Sequence, residues 1–360
     1  MISPMKNETL FGEDDGLLIP DVGPWTEDKF DLIRLYCQIF SSAMKNKWTR
    51  VYVDLYAGSG LCRIKGRDQV LLGSPLIALS VDAPFDRYIF CESDPERFSA
   101  LKSRVEKNYA KHNVHLVAGK FEEHINDICS KIPGKSLVLC FVDPFDCDFD
   151  IDNLKTISKC ARGVDFLCLL ALQMDAKRNV PHYLQLDSKI DRMIGNTTWR
   201  TRWNERTDIH EDFAKFLARE FAQSLSEVEY LETPLHQMRE VKTLDKNVPL
   251  YYLAMFSKNQ TAFKLWAQVL KYSNKAACSN RRSKCHLAQP SNGPTPPGIR
   301  CAAARKSAPA VRTATPNDLR SVFAEFQVIP LNKASTFAWY RKSSRILFGG
   351  SPPRRSLSIR

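Results

Sequence analysis

No CxxC pair occurs among the eleven cysteines, and no apolar stretch approaches the roughly 20 residues that span a bilayer. Met1 to Gly16 also lacks a basic region followed by an apolar core. The first absence argues against a disulfide framework. With Cys91, Cys140 and Cys168 inside apolar runs, reduced and buried thiols are expected. Cys278 with Cys285 and His286 comes nearest to a metal pattern, but its spacing fits no familiar zinc site, so no metal ligands are expected. The other two absences exclude a membrane span and a signal peptide, which leads to the expectation of a cytoplasmic protein without a membrane partner. No internal repeat is found.

Acidic residues are scarce in one place only. Residues 275–360 hold 16 Lys plus Arg against Asp318 and Glu325, whereas residues 1–274 hold 36 against 38. The net charge of +12 therefore comes entirely from the C-terminal stretch, and the body of the chain is nearly neutral. Overall charge is thus no argument for a nucleic-acid partner. Arg281, Arg282, Arg354 and Arg355 could attract RNA or DNA without sequence preference, but a disordered tail explains them equally well.

What is present is an alternation of two periodicities. Phe30, Ile33, Leu35, Tyr36, Ile39 and Phe40 recur at helical spacing, with Thr26 as the N-cap. Val51–Leu55 is a β-rich run, and Ser74-Pro75 opens a helix through Leu79. Strands are then predicted at Tyr88–Cys91, Val114–Val117, Leu137–Val142 and Phe166–Leu170, with helices at Pro95–Tyr109, Phe121–Ile132 and Asn153–Cys160. Such alternation predicts a doubly wound, mostly parallel α/β sheet. Two further strands, at Val228–Thr233 and Leu250–Phe256, would complete a seven-stranded sheet with an antiparallel last strand. The expected organisation is an N-terminal segment (1–24) and a main domain (25–274) with a helical insertion at about 173–226. A linker or disordered stretch (275–316) and a small module or tail (317–360) follow.

Three sequence features fall at strand ends, where open α/β sheets bind ligands. Asp54-Leu55-Tyr56-Ala57-Gly58-Ser59-Gly60 follows the first strand, with two glycines that permit a sharp turn close to a ligand. Alone it would fit an ordinary strand-to-helix turn. Glu92 ends the second strand, where a carboxylate can accept both hydroxyls of a ribose. Arg63 stands where the third glycine of GxGxxG would be, which favours a methyl donor over a dinucleotide. Asp143-Pro144-Phe145 ends the fourth strand, where carboxylate and carbonyl can hold an exocyclic base amine while the ring stacks on the base. These features assign Asp54, Tyr56, Gly58, Gly60, Glu92 and Phe121 to S-adenosylmethionine, and Asp143, Pro144 and Phe145 to catalysis.

In the insertion, Tyr183, Trp199 and Trp203 interleave with Arg192, Arg200 and Arg202. Arg178, Arg200 and Trp203 are the candidate contacts to a nucleic-acid substrate, against the alternative of an amphipathic cap with a solvated basic face.

Together these motifs resemble the three-Cys-motif partner family of bacterial and phage methyltransferase-like proteins, over roughly residues 20–274. The resemblance rests on Gly23-Pro24-Trp25 with Lys29, on Tyr52 to Gly60, on Gly73 to Leu79, and on Asp143-Pro144-Phe145. It implies a Rossmann-like methyltransferase sheet and a partner protein bearing a three-cysteine motif. The Asp-Pro-Phe element is also similar to that of transfer-RNA guanine amino-methyltransferases, which implies a nucleobase amine as acceptor. Two departures stand out. Lys120 lies where many class members place an acid near the cofactor adenine, with Glu122 as a possible substitute, and similarity ends near Asn274 in a divergent extension or frame-shifted end.

The sequence thus predicts an S-adenosylmethionine-dependent methyltransferase acting on an exocyclic amino group of a nucleobase in RNA or DNA. The rivals are an inactive binding subunit serving a three-cysteine-motif protein, which Lys120 favours, and a protein or small-molecule methyltransferase.

Overall fold

The computed structural model describes residues 10–243 and 246–287. In chain order they form β1 (Phe11–Gly12), β2 (Asp21–Val22), α1 (Thr26–Met44), β3 (Thr49–Asp54), β4 (Leu61–Ile64), β5 (Val70–Leu72), α2 (Ser74–Leu79), β6 (Arg87–Glu92) and α3 (Pro95–Asn108). Then come β7 (Val114–Ala118), α4 (Ile125–Lys131), β8 (Ser136–Val142), α5 (Ile151–Ile157) and β9 (Gly163–Leu170). The chain goes on through α6 (Val180–Tyr183), α7 (Lys189–Ile194), α8 (Trp199–Asn204), α9 (Phe213–Ser226), β10 (Arg239–Lys242), β11 (Pro249–Phe256) and α10 (Gln260–Leu287).

Seven strands form the main sheet in the order β10-β11-β9-β8-β3-β6-β7. β3, β6, β7, β8 and β9 run parallel, while β11 is antiparallel to β9, and β10 to β11. The central strands read as nearly unbroken apolar runs because helices cover both faces. Val51, Val53, Val138, Cys140, Phe166 and Cys168 pack in one core with Phe121, Ile151, Leu154 and Phe221. The chain goes from β3 to β6 on one side and later returns to β8 on the other. This makes the β3/β8 boundary the switch point where a crevice opens at the strand ends.

Several expectations change. Thr26 is the buried first residue of α1, whose N-cap is Trp25 with no side-chain cap bond. Ser74 likewise lies inside α2, and Gly73 is the cap. Val228–Thr233 is not a strand. Its start is consumed by the turn that ends α9, where Val228 N–H reaches Leu225 O, Glu229 N–H reaches Ser226 O, and Glu229 takes a φ of 69°. The penultimate strand is β10 instead. The glycine loop leads into a β4–β5 hairpin rather than a helix. This hairpin joins β1 and β2 in a second sheet of order β1-β5-β4-β2, which the sequence reading missed. Reduced cysteines do not hold throughout, since Cys129 at the end of α4 is disulfide-bonded to Cys160 beyond α5. Cys91, Cys140 and Cys168 are free and buried.

The boundary expected at 274 falls within α10. Residues 1–9, the linker from 288 onward and the module at 317–360 lie outside the described residues. Among the described residues no helix is long and apolar enough to cross a membrane.

The insertion turns two of its predicted nucleic-acid contacts inward. Trp203 is buried against Phe213 and Phe216. Arg200 pairs with Asp191 and donates to the carbonyls of Leu184 and Tyr183 at 2.9 and 3.1 Å, with about a tenth of both charged side chains exposed. An arginine with its N–H groups committed to three carbonyls, a hydroxyl and a carboxylate is a tie between α6, α7 and α8 rather than a free phosphate contact. Removing one partner of such a pair strands the other charge. Arg200→Ala should therefore lower unfolding free energy by about 3–5 kcal/mol in urea denaturation. A loss near zero would return Arg200 to the candidate contacts.

Candidate functional site

Glu92 and the glycine loop come together at the carboxyl ends of β3 and β6. The Glu92 carboxylate accepts Gly58 N–H at 2.7 Å through Oε2 and Asp94 N–H at 2.8 Å through Oε1. Asp94 in turn caps α3, accepting from Glu96 and Arg97 N–H, with Pro95 opening the helix. Gly58 and Gly60 have φ of 64° and 88°, the left-handed region that other residues enter at a cost. A Cβ on Gly58 would meet nothing within 4 Å, so this glycine faces open space, whereas one on Gly60 would press on Leu101 and Leu76. The loop's carbonyls are committed: Ser59 O accepts from Arg104 at 2.6 Å, and Gly60 O from Gly73 N–H at 2.7 Å. The N–H groups of Ser59 and Gly60 have no intramolecular acceptor among the described residues.

Beside this loop, the Tyr56 ring packs edge-on against buried Phe121, 5.5 Å between centroids. Among the described residues the buried Tyr56 hydroxyl has no hydrogen-bond partner. Burial raises the Glu122 carboxyl above its usual range, while Lys120, at the end of β7, is exposed and its charge opposes that shift.

At the end of β8, Pro144 is buried and the Phe145 ring is 96% exposed. Asp143 is held by a residue to which no role fell at first. Lys29 of α1 places its ammonium 2.6 Å from Asp143 Oδ2, with the two side chains 12% and 18% exposed. Lys29 entered the family resemblance as a letter in a pattern, and nothing in its spacing pointed to a carboxylate 114 residues away. The buried Tyr251 hydroxyl of β11 has no partner, and burial and then the Asp143 charge push it well above its ordinary value. Burial, offset in part by Lys29, takes the Cys62 thiol up to about 12.

Asp54, wholly buried, completes the cluster. It accepts Tyr56 N–H and the Tyr52 hydroxyl, each at 3.3 Å. Burial drives its carboxyl up to about 7, a Ser74 hydrogen bond opposes this, and the neighbouring Asp143 charge adds to it. Asp54 is thus a structural carboxyl beneath the loop. Arg178, on the insertion, is exposed and apart from this cluster's hydrogen bonds.

The strand order, the switch point between β3 and β8 and the antiparallel β11 make this a Rossmann-like, doubly wound seven-stranded sheet. No family model matches the chain, and no curated protein does. Similar solved structures include a conserved hypothetical protein of Streptococcus pyogenes, 18% identical, covering 34% of this chain and 66% of that one, with a TM-score of 0.26. An O-methyltransferase from Bacillus cereus in complex with SAH is 11% identical, covering 67% and 83%, with a TM-score of 0.37. The O-methyltransferase TomG from Streptomyces achromogenes, in complex with SAM, is also 11% identical, covering 69% and 90%, with a TM-score of 0.36.

A raised carboxyl makes the folded state hold a proton that the unfolded chain releases. The stability due to protonated Asp54 is then lost as pH rises from about 3.8 to about 7, and Asp165, raised to about 6 by burial, acts in the same sense. Wild type should melt at a higher temperature at pH 5 than at pH 8. Asp54→Asn should remove much of that difference, and an unchanged slope would show that Asp54 is ionised in the folded protein.

Proposed function

We propose that the protein is a cytoplasmic S-adenosylmethionine-dependent methyltransferase whose acceptor is an exocyclic amino group of a nucleobase in RNA or DNA. The observation that carries this reading is the convergence, at one switch point, of the Glu92-braced glycine loop with Asp143-Pro144-Phe145.

The residues present fit the cofactor. Each Glu92 oxygen accepts one amide and keeps a lone pair for a ribose hydroxyl. The Ser59 and Gly60 amides offer donors to an anionic group. Tyr56, whose hydroxyl has no partner among the described residues, together with Phe121 and Glu122 would hold the adenine. When bound, S-adenosylmethionine supplies a methyl group already activated on sulfonium, so the protein's share is in-line positioning. Asp143 and the Pro144 carbonyl orient the amine's N–H bonds, and the exposed Phe145 ring offers a stacking face. Lys29 holds the Asp143 carboxylate in place through Oδ2. Arg178 is the candidate phosphate contact that is exposed in the insertion.

A second reading is an inactive methyltransferase-fold subunit that works with a three-cysteine-motif protein. Exposed Lys120 and the existing Lys29–Asp143 pair favour it, since the carboxylate already has a partner.

Tritium transfer from labelled S-adenosylmethionine to total RNA and DNA separates the two. Wild type should label one of them, and Asp143→Ala should cut labelling by about a hundredfold, the scale of a lost orienting contact. Equal labelling by the variant would refute the orienting role. Calorimetry that detects no S-adenosylmethionine binding by well-folded wild type would overturn the enzymatic reading.

A further inference from the structure

Arg104 of α3 is 1% exposed, yet it is charged and lies outside the strand-end motifs. Its Nε and Nη2 bond both oxygens of Asp15 at 2.8 and 2.7 Å, and its Nη1 bonds Leu18 O at 3.0 Å and Ser59 O at 2.6 Å. One guanidinium thus joins three segments: the helix that Asp94 caps, the N-terminal stretch between β1 and β2, and the middle of the glycine loop. Burying a cation is costly unless its donors are used, and an apolar side chain could fill a buried position of this kind. What an apolar residue could not do is set the direction of a peptide. In a trans peptide the carbonyl and the following N–H point opposite ways. Holding Ser59 O on Arg104 therefore turns the Gly60 N–H away from the helix.

We propose that Arg104 is a positioning residue for the cofactor loop, acting through the Ser59 carbonyl, with Asp15 and Leu18 as the N-terminal latch that holds the guanidinium in place. The ligand concerned is the S-adenosylmethionine of the preceding reading, on which this proposal rests. Arg104 does not touch it. Because the two outer strands β1 and β2 flank Asp15 and Leu18, the latch is anchored on both sides by pairing with the hairpin that leaves the loop.

The test is amide hydrogen exchange by mass spectrometry on the full chain, together with calorimetric titration of S-adenosylmethionine. In Arg104→Met, exchange over residues 57–61 should accelerate at least tenfold while β8 and β9 keep their wild-type rates. The dissociation constant should rise about tenfold. Asp15→Asn, which keeps the guanidinium but loosens its hold, should give the same pattern at about threefold and serves if Arg104→Met does not fold. Wild-type exchange over residues 57–61 in both variants, or acceleration spread evenly over the domain, would overturn the proposal. Local acceleration in a protein whose wild type does not bind S-adenosylmethionine would support the latch and sink the cofactor reading, so the two failures are distinct.

Discussion

The Glu92 carboxylate accepts one amide from the loop after β3 and another from the turn after β6, so neither strand end can shift without unmaking a charge-assisted hydrogen bond. Through Asp94 the same turn caps α3, and α3 carries Arg104 back to the loop. The glycine loop is thereby gripped from two sides: by a carboxylate on an amide and by a guanidinium on a carbonyl. Both ties are short, and both are largely shielded from water, which strengthens each.

The carboxylates at the ends of β3 and β8 obey a different constraint. The Asp143 charge disfavours ionisation of buried Asp54, and two ionised carboxylates in a poorly hydrated site are costly. The protein divides their tasks. Asp54, without a cation, is driven toward its neutral form by burial, whereas Asp143 has Lys29 at 2.6 Å. The carboxylate at the mouth of the crevice is the one compensated by an ammonium, and the one beneath the loop serves as a hydrogen-bonding brace.

Much of this was legible in the residues because it is local or periodic. The five parallel strands announced themselves as apolar runs bounded by turns, and Glu92 and Asp143 could be placed because each directly follows such a run. What was hidden depends on contacts distant in sequence. Lys29 and Arg104 are single basic residues on helices, indistinguishable in a string from solvated ones, until folding brings Asp143 and Asp15 to them. The reverse error befell Trp203 and Arg200. Aromatic and basic residues interleaved at helical spacing read as a nucleic-acid surface, yet Asp191 and a set of carbonyls turn the arginine into an internal tie. The β4–β5 hairpin was missed because its strands, four and three residues long, are too short to show a period, although Gly66, at a φ of 79°, marks its turn.

The N-terminal stretch links the two halves of the site. Between Leu10 and Lys29 the chain pairs with β5, grips Arg104 through Asp15 and Leu18, pairs with β4, and then enters α1 to deliver Lys29 to Asp143. Within these 20 residues one covalent segment touches Arg104, which supports the glycine loop, and Asp143 at the end of β8. Displacement at either end has to pass through the short β2 pairing and the Gly23-Pro24-Trp25 turn, where Thr26 N–H closes on Gly23 O at 3.0 Å. That places Gly23-Pro24-Trp25 at a mechanical junction, a physical reason for a Gly-Pro-Trp turn to precede α1.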